Sequence, residues 1–238
     1  MNVGGPHGWG APLYAAVLDA TAVGAGTRVL DLGCGAGLFA RAAADRGARV
    51  TGVDLDPDAV ALAAATVPEG TFTVRHAQDP PAGRFDVVAA VQLLMHVADP
   101  VAVLHRAGRA GGVVAATAWG RERECDVRVL ADAFAPWLGP RRPARGSPVS
   151  EPARLRAMAE RAGLSVERQA EVVVPFDYAD EDELLVPLLA SVPARAVARR
   201  VDPAILRATV LERLEPYRSE HGGYRLRNLF RVLVARSR

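Results

Sequence analysis

Val29-Leu30-Asp31-Leu32-Gly33-Cys34-Gly35-Ala36-Gly37 is the stretch on which the fold turns. Val29 and Leu30 belong in a buried strand, and three alternate glycines permit left-handed backbone and close approach of a neighbour or ligand. The alanine-rich run that follows, from Leu38 to Arg46, reads as a helix closed by Gly47. A strand that enters a glycine turn and leaves as a helix is the opening of a βαβ unit. Working outward, strands are predicted at Arg28 to Asp31, Arg49 to Asp54, Thr71 to His76, Phe85 to Val91 and Val113 to Ala118. Helices are predicted near 38–46, 57–66 and 100–107, with Pro57 in a first helical turn. This alternation specifies parallel strands joined by right-handed crossovers.

After residue 120 the rhythm breaks. Pro136, Gly139, Pro140, Pro143, Gly146 and Pro148 punctuate a segment that reads as a short helix and then a loop. A helix over about 151–162 leads to a strand from Ser165 to Phe176, and the chain closes on a strand from Tyr224 to Ala235, the two expected to pair. Between them, residues 179–220 carry helical spacing interrupted by Pro187, Pro193, Pro203 and Pro216, which predicts a cap of about three short helices. Trp9, Leu13, Tyr14, Val17 and Leu18 predict an N-terminal helix over about 11–22. The expected organisation is a single domain over 1–238: an N-terminal helical segment (1–25), a ligand-binding core (28–120) and the inserted cap (179–220).

Composition narrows the function. The chain of 238 residues is 50% hydrophobic, enough to bury a full core, yet no apolar run reaches membrane-spanning length and no secretion signal opens it. A soluble cytoplasmic protein is expected. Cys34 and Cys125 are too few for a disulfide framework and lack zinc-site neighbours, so neither a bridge nor a metal is expected. All 29 basic residues are arginine, and the net charge is only +2. The mild basic excess lies beyond residue 120 with acids interleaved, as on a solvated surface, which gives nucleic acid little purchase.

Gly35-Ala36-Gly37-Leu38-Phe39-Ala40 satisfies the relaxed dinucleotide fingerprint, and Asp54 lies near the position of a ribose-binding acid, so an NAD-dependent oxidoreductase is one reading. Asp31 opposes it, because a carboxylate beside the turn repels a pyrophosphate on the helix N-terminus and attracts an ammonium. S-adenosylmethionine offers the complementary set: a cationic amino group and sulfonium, a carboxylate for backbone N–H groups, and a ribose diol for Asp54.

The stretch from Val29 to Gly37 resembles the first motif of class I S-adenosylmethionine-dependent methyltransferases. The likeness continues through Gly52-Val53-Asp54-Leu55-Asp56-Pro57, through Phe85-Asp86-Val87-Val88 before Leu94-Met95-His96-Val97-Ala98-Asp99-Pro100, and to Gly111-Gly112. It implies a Rossmann-like α/β fold: a doubly wound, mostly parallel seven-stranded sheet of order 3-2-1-4-5-7-6, with strand 7 antiparallel and helices on both faces. By the same resemblance Asp31 orients the amino group, Gly33, Gly35 and Gly37 wall the methionine moiety, Asp54 holds the ribose hydroxyls and Leu55 packs on adenine. Val91 and Gln92 border the methionine part. The family usually has an aspartate after the third strand to accept from the adenine amino group. Here His76 stands there, and Gln78, Asp79 or a neighbouring backbone group such as that of Ala77 is able to replace that bond.

The implied activity is methyl transfer to a small molecule, leaving S-adenosylhomocysteine. Such a displacement needs chiefly alignment and desolvation, with a base where the acceptor carries a proton. His96 is the nearest base candidate. Trp9, Tyr14 and Tyr178 are candidates for the acceptor pocket, with Phe134, Trp137 and Phe176 as further apolar lining. Ala89-Ala90-Val91-Gln92 lacks the acidic or Asn-headed Pro-Pro-aromatic motif of enzymes that methylate DNA bases. A noncatalytic S-adenosylmethionine-binding protein is the alternative. Acceptor, atom type and oligomeric state are not encoded in these motifs.

Overall fold

A computed structural model of the protein describes residues 6–138 and 148–237. They fall into two compact units, one comprising residues 10–119, 148–172 and 230–237, the other residues 6–9, 120–138 and 173–229.

The first unit begins with α1 (Ala11–Ala20), β1 (Arg28–Leu32), α2 (Leu38–Ala44), β2 (Arg49–Asp54), α3 (Pro57–Thr66), β3 (Thr71–Val74), β4 (Phe85–Ala90), α4 (Pro100–Ala110) and β5 (Gly111–Trp119). Beyond residue 120 come α5 (Arg128–Asp132), α6 (Ala135–Leu138), α7 (Pro152–Arg161), β6 (Leu164–Tyr178), α8 (Glu181–Leu189), α9 (Val192–Ala198), α10 (Pro203–Leu214) and β7 (Tyr224–Ser237). The strands form one sheet of order β3-β2-β1-β4-β5-β7-β6. β1 is parallel to β2 and β4, β3 to β2 and β5 to β4, whereas β7 runs antiparallel to β5 with Thr117 opposite Val232. This is the order, with β7 reversed, that the resemblance implies.

The central strands are apolar on both faces because helices cover both. Val29 to Leu32 of β1 and Val87 to Ala90 of β4 are all buried, and the small side chains of Ala89, Ala90, Ala115 and Ala116 let those helices lie close. Helices α3 and α4 start where the sequence places an acid before a proline. Asp56 accepts from the Asp58 N–H (2.9 Å) ahead of Pro57, and Asp99 accepts from the Ala102 N–H (3.0 Å) ahead of Pro100. Each side chain satisfies an N–H that the first helical turn leaves open, and the proline fixes φ there.

Boundaries shift where tertiary pairing governs them. β3 is an exposed edge strand that stops at Val74, two residues before the predicted end. The chain then folds back on His76, whose Nδ1 accepts from the Gln78 N–H (3.0 Å) and whose carbonyl accepts from the Asp79 N–H (2.8 Å). α4 continues three residues past its predicted end and runs directly into β5 without a loop. α1 stops at Ala20 because Ala22 takes a left-handed φ of 52°.

The second unit contains α5, α6 and the three helices α8 to α10 predicted over 179–220. Gly139, Pro140, Pro143 and Gly146 of the predicted loop lie outside the described residues. Its core is Phe134, Phe176, Leu184, Leu188, Leu206, Val210 and Leu214, all buried. Glu181 holds it from the outside, accepting from Arg207 (2.9 Å) and Arg218 (3.0 Å). No helix among the described residues is long and apolar enough to cross a membrane.

Candidate active site

The strand order reverses between β1 and β4, so their carboxyl ends border the crevice in which open α/β sheets take ligands. The glycine turn lies at that crevice. Gly33, Gly35 and Gly37 all adopt positive φ, at 71°, 50° and 80°. A Cβ on Gly37 would meet the Ala63 backbone at 2.9 Å, so this glycine is required for α2 to pack on α3. At Gly35 a Cβ would meet nothing within 4 Å, which leaves one face of the backbone open to a ligand.

Most of the turn's N–H groups point inward. Those of Gly33 and Cys34 donate to the Val53 carbonyl (2.8 and 3.0 Å), that of Gly37 to the Cys34 carbonyl (2.9 Å), and that of Gly35 to Oδ2 of Asp54 (2.9 Å). Asp54 also accepts from the Asp56 N–H at Oδ1 (3.1 Å), and each oxygen keeps a further lone pair for a hydroxyl. A turn whose donors are occupied makes a poor cradle for a pyrophosphate, which weakens the dinucleotide reading on geometry as well as on charge.

Asp31 is the anomaly of the site. It is buried at 1% exposure, and its Oδ2 has no hydrogen-bond partner. Burial, aided by the charge of Asp54, pushes its carboxyl up to about 7. An unpaired buried acid is costly unless something compensates it, and a bound ammonium would do so. Tyr14 on α1 feels the same acid: burial and the Asp31 charge push its phenol up to about 12, and its ring packs edge-on against Phe39 at 5.9 Å between centroids. Its hydroxyl therefore stays protonated as a donor. Cys34 is raised to about 12 by burial and by Asp31 and Asp54, so it is no nucleophile.

The remaining candidates are placed as follows. Leu55, just beyond β2, is 62% exposed. Ala77 is buried and Gln78 half-buried in the turn after β3, where the Gln78 side chain donates to the Asp99 carbonyl (3.4 Å). Val91 and Gln92 follow β4. Gln92 has φ of 55° and hydrogen-bonds to Thr117 on β5, a residue the sequence did not single out because one threonine in an apolar strand carries no signal. His96 is exposed beyond β4. Of the acceptor-pocket candidates, Tyr14 belongs to the first unit and Trp9 and Tyr178 to the second. Trp9 packs on Phe176 at 5.1 Å between centroids. Tyr178, raised to about 12 by burial and the Glu183 charge, lines a cleft of about 760 Å³ together with Arg218, Tyr224 and Arg225. Phe134 and Phe176 are fully buried and act as core.

A seven-stranded sheet of this order, with acids at the ends of β1 and β2 around a glycine turn, is the architecture of the Rossmann-like methyltransferases. The chain belongs to the methyltransferase domain family, whose model matches residues 11–169, and it is an S-adenosylmethionine-dependent methyltransferase. Among curated relatives, the ubiquinone biosynthesis O-methyltransferase of Pseudomonas aeruginosa is 33% identical over 166 residues, 65% of this chain and 72% of that one. Its namesake from Thiobacillus denitrificans is 34% identical over 167 residues, 66% and 72% of the two chains. Among solved structures, magnesium protoporphyrin IX methyltransferase of Synechocystis PCC 6803 with bound SAH superposes with a TM-score of 0.56 at 18% identity, covering 94% of this chain and 80% of that one. The [4+2]-cyclase SpnF superposes at 0.60 with 24% identity over 94% and 80%. The fold therefore houses more than one chemistry, and the assignment rests on the family and the curated relatives.

Proposed function

We propose that this enzyme methylates a hydroxyl of a small organic molecule. The observation that carries the cofactor side is the buried, unpartnered carboxyl oxygen of Asp31 beside an open glycine face. The O-methyltransferase names of the curated relatives support oxygen as the atom. Asp31 receives the cofactor's ammonium, Gly33, Gly35 and Gly37 give its methionine part a close wall, Asp54 accepts from the ribose hydroxyls, and Leu55, Ala77 and Gln78 bound the adenine, with Val91 at the methionine end. When bound, S-adenosylmethionine supplies a methyl group on a sulfonium leaving group. The acceptor oxygen forms the new O–C bond as the C–S bond breaks, the electron pair stays on sulfur, and the hydroxyl proton passes to a base, for which His96 is the candidate. A small-molecule enzyme of the cytoplasm suits two cysteines that are both free and buried.

The test is incubation with methyl-labelled S-adenosylmethionine and metabolite extract, followed by mass spectrometry. The expected result is a labelled methyl ether. Calorimetry on Asp54→Ala should show cofactor affinity reduced at least tenfold. Labelled product on nitrogen or carbon would overturn the oxygen assignment, and the absence of any labelled product would overturn methyl transfer to a small molecule.

A further inference from the structure

The edge of the sheet opposite the crevice carries a row of arginines. β1 starts at Arg28 and β2 at Arg49, Arg84 immediately precedes β4, Arg109 lies in the last turn of α4 just before β5, and β7 brings Arg236 opposite Val113. The order β2-β1-β4-β5-β7 sets these five positions side by side. At about 4.8 Å from strand to strand, the row spans roughly 19 Å.

Arg28, Arg84, Arg109 and Arg236 line a cleft of about 980 Å³ in which Asp86 is the one acid among the described residues. Arg28 occupies that acid: its backbone N–H (2.8 Å) and Nε (3.2 Å) donate to Oδ2, and Nη2 donates to Oδ1 (2.9 Å). The clamp pulls the Asp86 carboxyl down to about 2, so the pair is neutral as a unit. Arg236 is shared with Glu167 (2.7 Å), which stands outside the lining. Arg84 and Arg109 meet no acid among the described residues.

That excess is local. Of the eight arginines up to Trp119, Arg28, Arg41, Arg46 and Arg75 each pair with an acid. The other four, Arg49, Arg84, Arg106 and Arg109, pair with none among the described residues. All four lie at the starts of β2 and β4 or in the last two turns of α4, and Arg106 and Arg109 also line an adjoining pocket of about 250 Å³. The negative end of the α4 dipole accounts for a cation at Arg109 but for neither Arg84 nor Arg49. A cleft walled by one sign of charge concentrates the other sign, and guanidinium forks grip phosphate oxygens two at a time. Cations spread over neighbouring strands suit an anion with several charged centres, which a lone carboxylate lacks. The volume is that of a small-molecule site.

We infer that this cleft is a second ligand site, which takes a polyphosphate group carried by an inorganic chain or by a nucleoside di- or triphosphate. Arg84 and Arg109 are its main contacts, and Arg28 and Arg236 frame it. No bond is made or broken there. The cleft lies at the sheet edge away from Asp31 and Asp54, so it fills without displacing the cofactor and does not depend on the methyl-transfer reading.

The probes are tripolyphosphate, ATP and adenosine, titrated by calorimetry into the SAH-loaded enzyme at about 0.15 M salt, which screens diffuse attraction. Tripolyphosphate should saturate one site with a dissociation constant below about 1 mM, and adenosine should not bind. ATP that binds as tightly as tripolyphosphate makes the phosphate chain the whole ligand. ATP that binds more tightly makes a nucleotide the source, and both results support the site. Arg84→Gln and Arg109→Gln should each weaken tripolyphosphate at least fivefold, while Arg199→Gln, at an exposed arginine of the second unit, changes nothing. SAH affinity should stay within twofold in all three variants. Amide NMR shifts caused by tripolyphosphate should gather on residues 84–87 and 109–113, a readout that needs no variant. The inference is overturned if no saturable binding is seen, if Arg84→Gln and Arg109→Gln bind like wild type, or if Arg199→Gln loses as much as they do. Displacement of SAH by tripolyphosphate would overturn it as well.

Discussion

Asp31 and Glu181 are both acids held in place by the fold, in opposite electrostatic settings. Glu181, in the second unit, is matched by Arg207 and Arg218, and Arg218 reaches on to Glu215 and the Tyr224 hydroxyl. Nearby, Asp177 is matched by Arg225. Asp31, in the first unit, is buried next to a second acid, Asp54, and neither meets an arginine among the described residues. In a chain with 29 arginines, that absence is local and specific. Matched charge serves the fold, and on the proposed reading the unmatched buried charge reserves a place for a ligand cation.

The contrast breaks if Asp31 is structural. Asp31→Ala should reduce S-adenosylmethionine affinity about 100-fold, some 2.7 kcal/mol, as expected for loss of a buried charge-assisted contact. The free protein should at the same time melt higher at pH 8, and calorimetry with thermal melting reads both. A free protein that melts lower would give Asp31 a fold-holding role. Next in size, Gly37→Ala should cost about 2–3 kcal/mol in urea unfolding, since strain at φ 80° adds to a clash with the Ala63 backbone. Gly35→Ala, with open space around it, should cost only about 1 kcal/mol and weaken the cofactor instead. Equal stability losses would contradict the open face.

The pH dependence follows from the same acid. The carboxyl of Asp31 is raised from 3.8 to about 7 in the fold, so its contribution to stability is full below about 4 and is lost as pH rises to 7. The free enzyme should lose thermal stability over that window, and Asp31→Asn should flatten the curve. Cofactor affinity should rise as pH passes upward through about 7, because the ammonium binds the ionised carboxylate. The smallest effect is expected from Glu181→Gln, a slight loss of stability in urea unfolding because exposed ion pairs contribute little, with cofactor affinity unchanged.

The sequence announced the first unit in far more detail than the second, for a physical reason. Its central strands β1 and β4 are buried on both faces and its helices α3 and α4 begin at Asp56-Pro57 and Asp99-Pro100, so local chemistry and global fold agree there. The acids Asp31 and Asp54 were legible because charge near a glycine turn has few uses. Three features were not. The short β3 depends on being an edge, the left-handed Gln92 depends on Thr117 25 residues away, and the link between Tyr14 and Asp31 depends on where α1 packs. Each is a long-range consequence that no local pattern of apolar and polar residues contains. In the second unit the spacing of Ile205, Leu206, Val210 and Leu214 announced a helix but not the Glu181–Arg207 bridge that ties it to α8.

Cys34 gives the unmatched acids a second consequence. The methyl donor is an alkylating reagent, and a thiolate in the same turn would be an obvious victim of it. Burial, Asp31 and Asp54 hold the Cys34 proton on until about pH 12, so the sulfur remains a poor nucleophile at any physiological pH. On the proposed reading of Asp31 and Asp54, the field that draws in the reagent also spares the enzyme from alkylating itself.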